Sequence, residues 1–204
     1  MIFLKGLIIG ISIAAPVGPI GVLCIQRTIT YGKLNGLVTG LGAASADAVY
    51  GFVAAFGLTF ISNFLVAQQT WFRIIGGGFL IYLGIRAYFS TPKNTTVNTN
   101  NQNHAGAYGS TFLLTLSNPM TILSFAAIFS GFGLVDSSMH YGSAALMVIG
   151  VFLGSASWWF LLSSGTNLFR NKLNERLSWI NKLSGIVIAA FGVVAIVSLL
   201  IPVP

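Results

Sequence analysis

Apolar runs of about 20 residues recur along the whole of this chain, each long enough to cross the roughly 30 Å hydrocarbon core of a bilayer. Such runs cannot be packed around one water-soluble core. Only 6% of the 204 residues are charged, against roughly 25% in soluble domains. The chain is therefore read as an all-α integral membrane protein, a single membrane domain over 1–204. Six spans are expected, at roughly 3–25, 36–58, 71–89, 109–134, 141–164 and 182–202. The first is read as an uncleaved span, because one lysine precedes it and no clear A-x-A cleavage site follows.

Charge placement sets the expected orientation. Arg27, Lys33, Arg86, Lys93, Arg170, Lys172, Arg176 and Lys182 fall in or beside the loops after spans 1, 3 and 5. Lys5 and Arg73 alone fall on the other side. The positive-inside rule then places both termini outside. A five-span reading with a cytoplasmic N-terminus fits these charges less well. The same distribution argues against nucleic acid as the partner of a chain with net charge +7, since the basic residues mark span ends. The stretch from Ser90 to Tyr108 is Asn/Thr-rich and reads as a cytoplasmic linker, 90–108, in which Asn94-Thr95-Thr96 is a chance glycosylation match.

Prolines, glycines and tryptophans mark an internal repeat. Gly6 and Pro16 match Gly109 and Pro119 at an offset of 103, and Gly40, Ser45 and Ala46 match Gly150, Ser155 and Ala156 at 110. Trp71, Gly77 and Gly84 match Trp179, Gly185 and Gly192 at 108. The halves, 1–89 and 109–204, each hold three spans. An odd number makes the second half enter from the opposite side, giving two inverted-topology three-helix repeats.

Spans 1 and 4 are expected to break at proline. "APVGP" places Pro16, Gly18 and Pro19 inside span 1, and "SNPM" places Asn118 and Pro119 inside span 4. Proline removes a backbone donor, and irregular backbone at membrane depth is tolerated where it lines a cavity. One proline alone reads as a packing kink; two at matched places point to a substrate site near the midplane.

Of the three acidic residues, only Asp47 lies within a span; Asp136 and Glu175 fall in loops. Gly36, Gly40, Ala43, Asp47, Gly51 and Ala54 share one helical stripe, and a stripe of small residues faces other helices or a cavity. Asp47 therefore points inward, where it can exchange a proton; a structural, hydrogen-bonded Asp is the alternative. Tyr50 is placed to bond it or to line the same path. By the 110 offset, the counterpart of Asp47 is Ser157, beside Trp158 and Trp159. A tryptophan face there would attract an ammonium group, with bulky packing as the alternative. Trp71 and Trp179 begin their spans and read as interfacial anchors.

Other chemistry has little support. Cys24 is the single cysteine, so an intramolecular disulfide or a two-thiol relay is excluded. His104 and His140 stand in loops without partner ligands, and no metal or other cofactor is expected. There is no Walker glycine–lysine pattern, and no acid–base pair at membrane depth to suggest an enzyme.

Three segments, Ala15–Gly51, Phe72–Tyr88 and "SNPMTILSF" at Ser117–Phe125, resemble the LysE/RhtB family of bacterial amino-acid exporters. The resemblance extends over nearly the whole chain in length, order and span count. It implies secondary active export of amino acids or similar small metabolites, driven by the proton gradient, by a homodimer in the bacterial inner membrane. It assigns transport positions to Pro16, Gly18, Pro19, Asp47, Asn118 and Pro119. The first site reads P-V-G-P here, against the P-G-P common in the family, and the basic-amino-acid, homoserine/threonine and leucine branches stay open. An ion exporter or channel on the same scaffold is the alternative function.

Overall fold

The computed structural model describes residues 1–16, 18–56, 67–89, 103–118, 121, 124–125, 141–170 and 177–200. These form helices α1 (Ile2–Ala14), α2 (Pro19–Tyr31), α3 (Lys33–Ala55), α4 (Gln69–Tyr88), α5 (His104–Leu116), α6 (Tyr141–Leu168) and α7 (Leu177–Val197). There is no strand among the described residues. Pro119, Asp136, His140, Glu175 and the Asn94 acceptor lie outside them.

Long apolar α3, α6 and α7 are each able to cross a membrane. α1 and α2 meet at 80° and reach that length only when taken together. The remaining two expected spans are less plain. α4 has 20 residues but carries Arg73 and Arg86, and α5 has 13. α5 also starts at His104, inside the stretch read from sequence as linker; Asn103 caps it by accepting a 2.7 Å bond from the Gly106 amide.

Local chemistry explains the boundaries around α2. Pro19 occupies its first turn, where a missing N–H costs nothing, and extended Gly18 is its N-cap. Its far end is closed by Gly32, whose φ of 98° is a conformation other residues rarely adopt. The chain then turns directly into α3.

Small residues set the packing. α1 lies along α6 in parallel, Gly6 and Gly10 against Gly150 and Gly154; a Cβ at Gly154 would stand 2.2 Å from the Leu7 carbonyl oxygen. α3 and α5 run in the same manner, and a Cβ on Gly42 would stand 2.4 Å from the Tyr108 carbonyl oxygen. α4 and α7 cross antiparallel, with Gly84 on Gly185 and Gly77 on Gly192. α3 and α6 meet antiparallel at the centre, where Trp159 fills the notch left by Gly40. Large apolar side chains such as Leu41, Phe52, Ile75, Leu161, Trp71 and Trp179 face outward. That is the pattern of a bundle solvated by lipid, and the chain is a helical membrane protein.

One end of the bundle collects the basic residues. The C-terminal half of α2 and the last turn of α4 bring Arg27 and Arg86 there, α3 starts with Lys33, and Arg170 follows α6. Arg170 Nε donates a 3.0 Å bond to the Ile29 carbonyl, tying the end of α6 to α2.

Candidate substrate and proton site

α1 ends and α2 begins beside a small cavity of about 60 Å³. Pro16, Gly18 and Pro19 line it from the interruption, Asp47 from α3, Asn118 from beyond α5 and Trp159 from α6. The first amides of a helix have no intrahelical partner. Here those are on Ile20 and Gly21, both of which also line the cavity. Thr115 and Thr121 add hydroxyls from the α5 side. The cavity is far below the roughly 300–1,000 Å³ of ligand pockets and offers water-sized space.

Asp47 is buried, 3% exposed. Its Oδ2 accepts a 2.7 Å hydrogen bond from Ser155 Oγ, which in turn accepts a 3.1 Å bond from Trp159 Nε1. Indole N–H can only donate, so the direction of this relay is fixed: Trp159 to Ser155 to Asp47. No described residue donates to Oδ1, which leaves that oxygen for a proton or a cationic group in the cavity.

Pro16, Gly18, Pro19, Asp47 and Asn118, singled out from sequence, thus surround one space. Pro119 lies outside the described residues. Three other positions stand outside this lining. Tyr50 does not bond Asp47; its hydroxyl donates to the Leu116 carbonyl at the end of α5, and its ring packs 5.5 Å from that of Phe125. Ser157 faces outward and donates to its own helix at the Leu153 carbonyl, 2.6 Å away. Trp158 is half-buried at the edge of the cluster around Ala14, Ile20 and Trp159. The reason is helical phase: position 157 lies about 200° around α6 from Ser155, whereas i and i+4 share a face. Sequence reasoning passed over Ser155 as a partner of Asp47, although Gly150, Gly154 and Ser155 form a small-residue stripe on α6.

The model of the LysE type translocator family matches residues 11–199, which contain the whole cavity lining. The chain belongs to that family. Among relatives, "Putative amino acid efflux protein YcgF" of Bacillus subtilis (strain 168) is 30% identical over 198 residues, covering 94% of this chain and 93% of its own length. "Uncharacterized membrane protein YahN" of Escherichia coli (strain K12) is 29% identical over 148 residues, covering 71% and 65%. "Chemotactic transduction protein ChpE" of Pseudomonas aeruginosa is 25% identical over 183 residues, covering 87% of each. No solved structure matches. As a LysE type translocator the chain is a transporter, not an enzyme.

Proposed function

We propose that this LysE type translocator is a secondary active exporter of amino acids or similar small zwitterions. It works by exchange for protons at Asp47, as a homodimer in the bacterial inner membrane with both termini outside. The observation that carries this reading is the cavity itself: one carboxylate, the residues bearing the orphan amides at the start of α2, and the polar residues after α5 line one small space. A zwitterion has complementary needs. Its ammonium fits the free oxygen of Asp47, and its carboxylate fits helix-terminal amides. A proton and the ammonium would compete for the same carboxylate, which couples the two without further parts. One charge crossing 100 mV is worth about 2.3 kcal/mol, enough to drive a useful gradient.

Alternating access is supported by the pairing of the helices. Exchanging α1 with α5, α3 with α6 and α4 with α7 maps the main helix pairings onto one another: α1 on α6 becomes α5 on α3, and both pairs are parallel. Residue matches follow the same exchange. Gly77 and Gly84 correspond to Gly185 and Gly192, and the contacts made are Gly77 with Gly192 and Gly84 with Gly185. Such reciprocity is the mark of a twofold relation. Asp47 and Ser155, 108 residues apart, are mates under that same offset and meet each other at the α3–α6 crossing. These relations favour two inverted repeats, 1–89 and 109–204, with interrupted first helices facing a shared site.

Efflux of a labelled amino-acid panel from cells with and without the protein tests the reading. Faster loss of a subset of amino acids, abolished by an uncoupler, is expected. Cation currents in liposomes with no amino-acid efflux would replace it with an ion pathway.

A further inference from the structure

A second cavity, about 340 Å³, opens at the basic end of the bundle, in the volume range of ligand pockets. Arg27 from α2 and Arg86 from α4 both line it, with Gln26, Asn35, Asn103 and Ser110. Arg27 is held in place: Nη1 donates to the Ala107 carbonyl at 3.0 Å and to Thr111 Oγ1 at 3.0 Å, and Nη2 to Ser110 Oγ at 2.9 Å. Arg86 has no hydrogen-bond partner among the described residues, and no carboxylate is among the residues lining the cavity. The first turn of α5, with Asn103, Gly106 and Ala107, also faces this space, and a helix N-terminus adds positive potential. Two positive charges and a helix start around one cavity, with no acid to balance them, favour an oxyanion.

Its position relative to the Asp47 cavity is specific. Along α2, Gly21 lines the small cavity and Leu23 the large one; along α5, Thr115 lines the small and Ser110 the large. Between them sits a buried apolar cluster of Leu23, Leu83, Leu114 and Ile188. Leu23 and Leu83 are also part of the wall of the large cavity. The two cavities therefore lie on one α2–α5 crevice, separated by a leucine plug.

We infer that the large cavity is an oxyanion-docking vestibule, in which Arg27 and Arg86 hold a carboxylate or phosphate group on the basic side of the leucine plug. The proposed export function bears on which molecule carries the group, not on the site. A substrate carboxylate and an anionic lipid headgroup share this chemistry.

The test is the rate at which phenylglyoxal, an arginine-specific reagent, modifies Arg86 in the full-length protein in nanodiscs, read by mass spectrometry. Leucine, acetate and leucinamide are the soluble probes, in discs of phosphatidylcholine with or without phosphatidylglycerol. Slowing by at least threefold with leucine and acetate but not leucinamide supports the site and assigns it to soluble carboxylates. Slowing only when phosphatidylglycerol is present supports it and assigns it to the headgroup. No slowing in any arm, or equal slowing by leucinamide, overturns it. The protein is not turning over in this assay, so its failure leaves the Asp47 reading untouched, and failure of gradient-driven exchange leaves this site standing.

Discussion

Ser155 on α6 donates a 2.7 Å hydrogen bond to Asp47 on α3, joining the two halves of the chain at their central crossing. A hydrogen bond to a charged group is worth roughly 1.5–3 kcal/mol. Ser155→Ala removes the donor of Oδ2, and transport rates are expected to fall about tenfold or more by the same measure. Ser157→Ala, two residues on and facing outward, should leave them unchanged. Initial rates of proton-driven efflux check the pair.

Gly18 separates folding from transport. A Cβ there would meet nothing within 4 Å, and its φ of −102° suits any residue. It also lines the small cavity. Gly18→Ala should therefore be silent, while Gly18→Leu should fold yet block transport by occupying space of about 60 Å³. Thermal unfolding in detergent and efflux, measured together, distinguish the two effects.

The α4–α7 crossing has no room to spare. A Cβ on Gly84 would stand 2.6 Å from the Gly185 carbonyl oxygen, so Gly84→Val should destabilise the protein by about 1–3 kcal/mol, the usual cost of overpacking. Gly78→Ala on the same helix faces open space and is the control. Comparison of unfolding midpoints decides it.

Gly32 makes a different demand. Its φ of 98° joins α2 to α3, and Gly32→Ala should cost about 1–3 kcal/mol through backbone strain alone. Restoring the loss by shortening a neighbouring side chain should fail, because no clash is involved: the nearest atom to a Cβ there is Arg170 Nη1 at 3.6 Å.

Part of the site was legible because lipid makes it so. A lone Asp within an apolar run, and proline with glycine inside another, are costly enough to stand out one by one. What could not be read was phase. Matching Gly40 to Gly150 sets Ser157 against Asp47, whereas the residue that bonds Asp47 is Ser155, two positions earlier. A shift of two residues turns a helix by about 200°, from the inside of the bundle to the outside. Tyr50, three residues from Asp47, shares the buried face as expected, but a carbonyl at the end of α5 claims its hydroxyl. An Asn/Thr-rich composition extends the expected linker to 108 and does not register that Asn103 caps a helix starting at His104. Arg27 and Arg86 read singly as charges snorkelling from span ends; only tertiary structure gathers them around one cavity.

Asp47 is the centre of the account, and one measurement addresses it most directly. Proteoliposomes bearing wild type or Asp47→Asn would be loaded with a labelled amino acid exported by cells, and its exit followed under an imposed proton gradient. Asn keeps the size and can still accept from Ser155 but cannot exchange a proton. The account predicts that the variant folds with an unchanged unfolding midpoint and loses gradient-driven exchange. Proton-driven exchange at the wild-type rate in Asp47→Asn would contradict it.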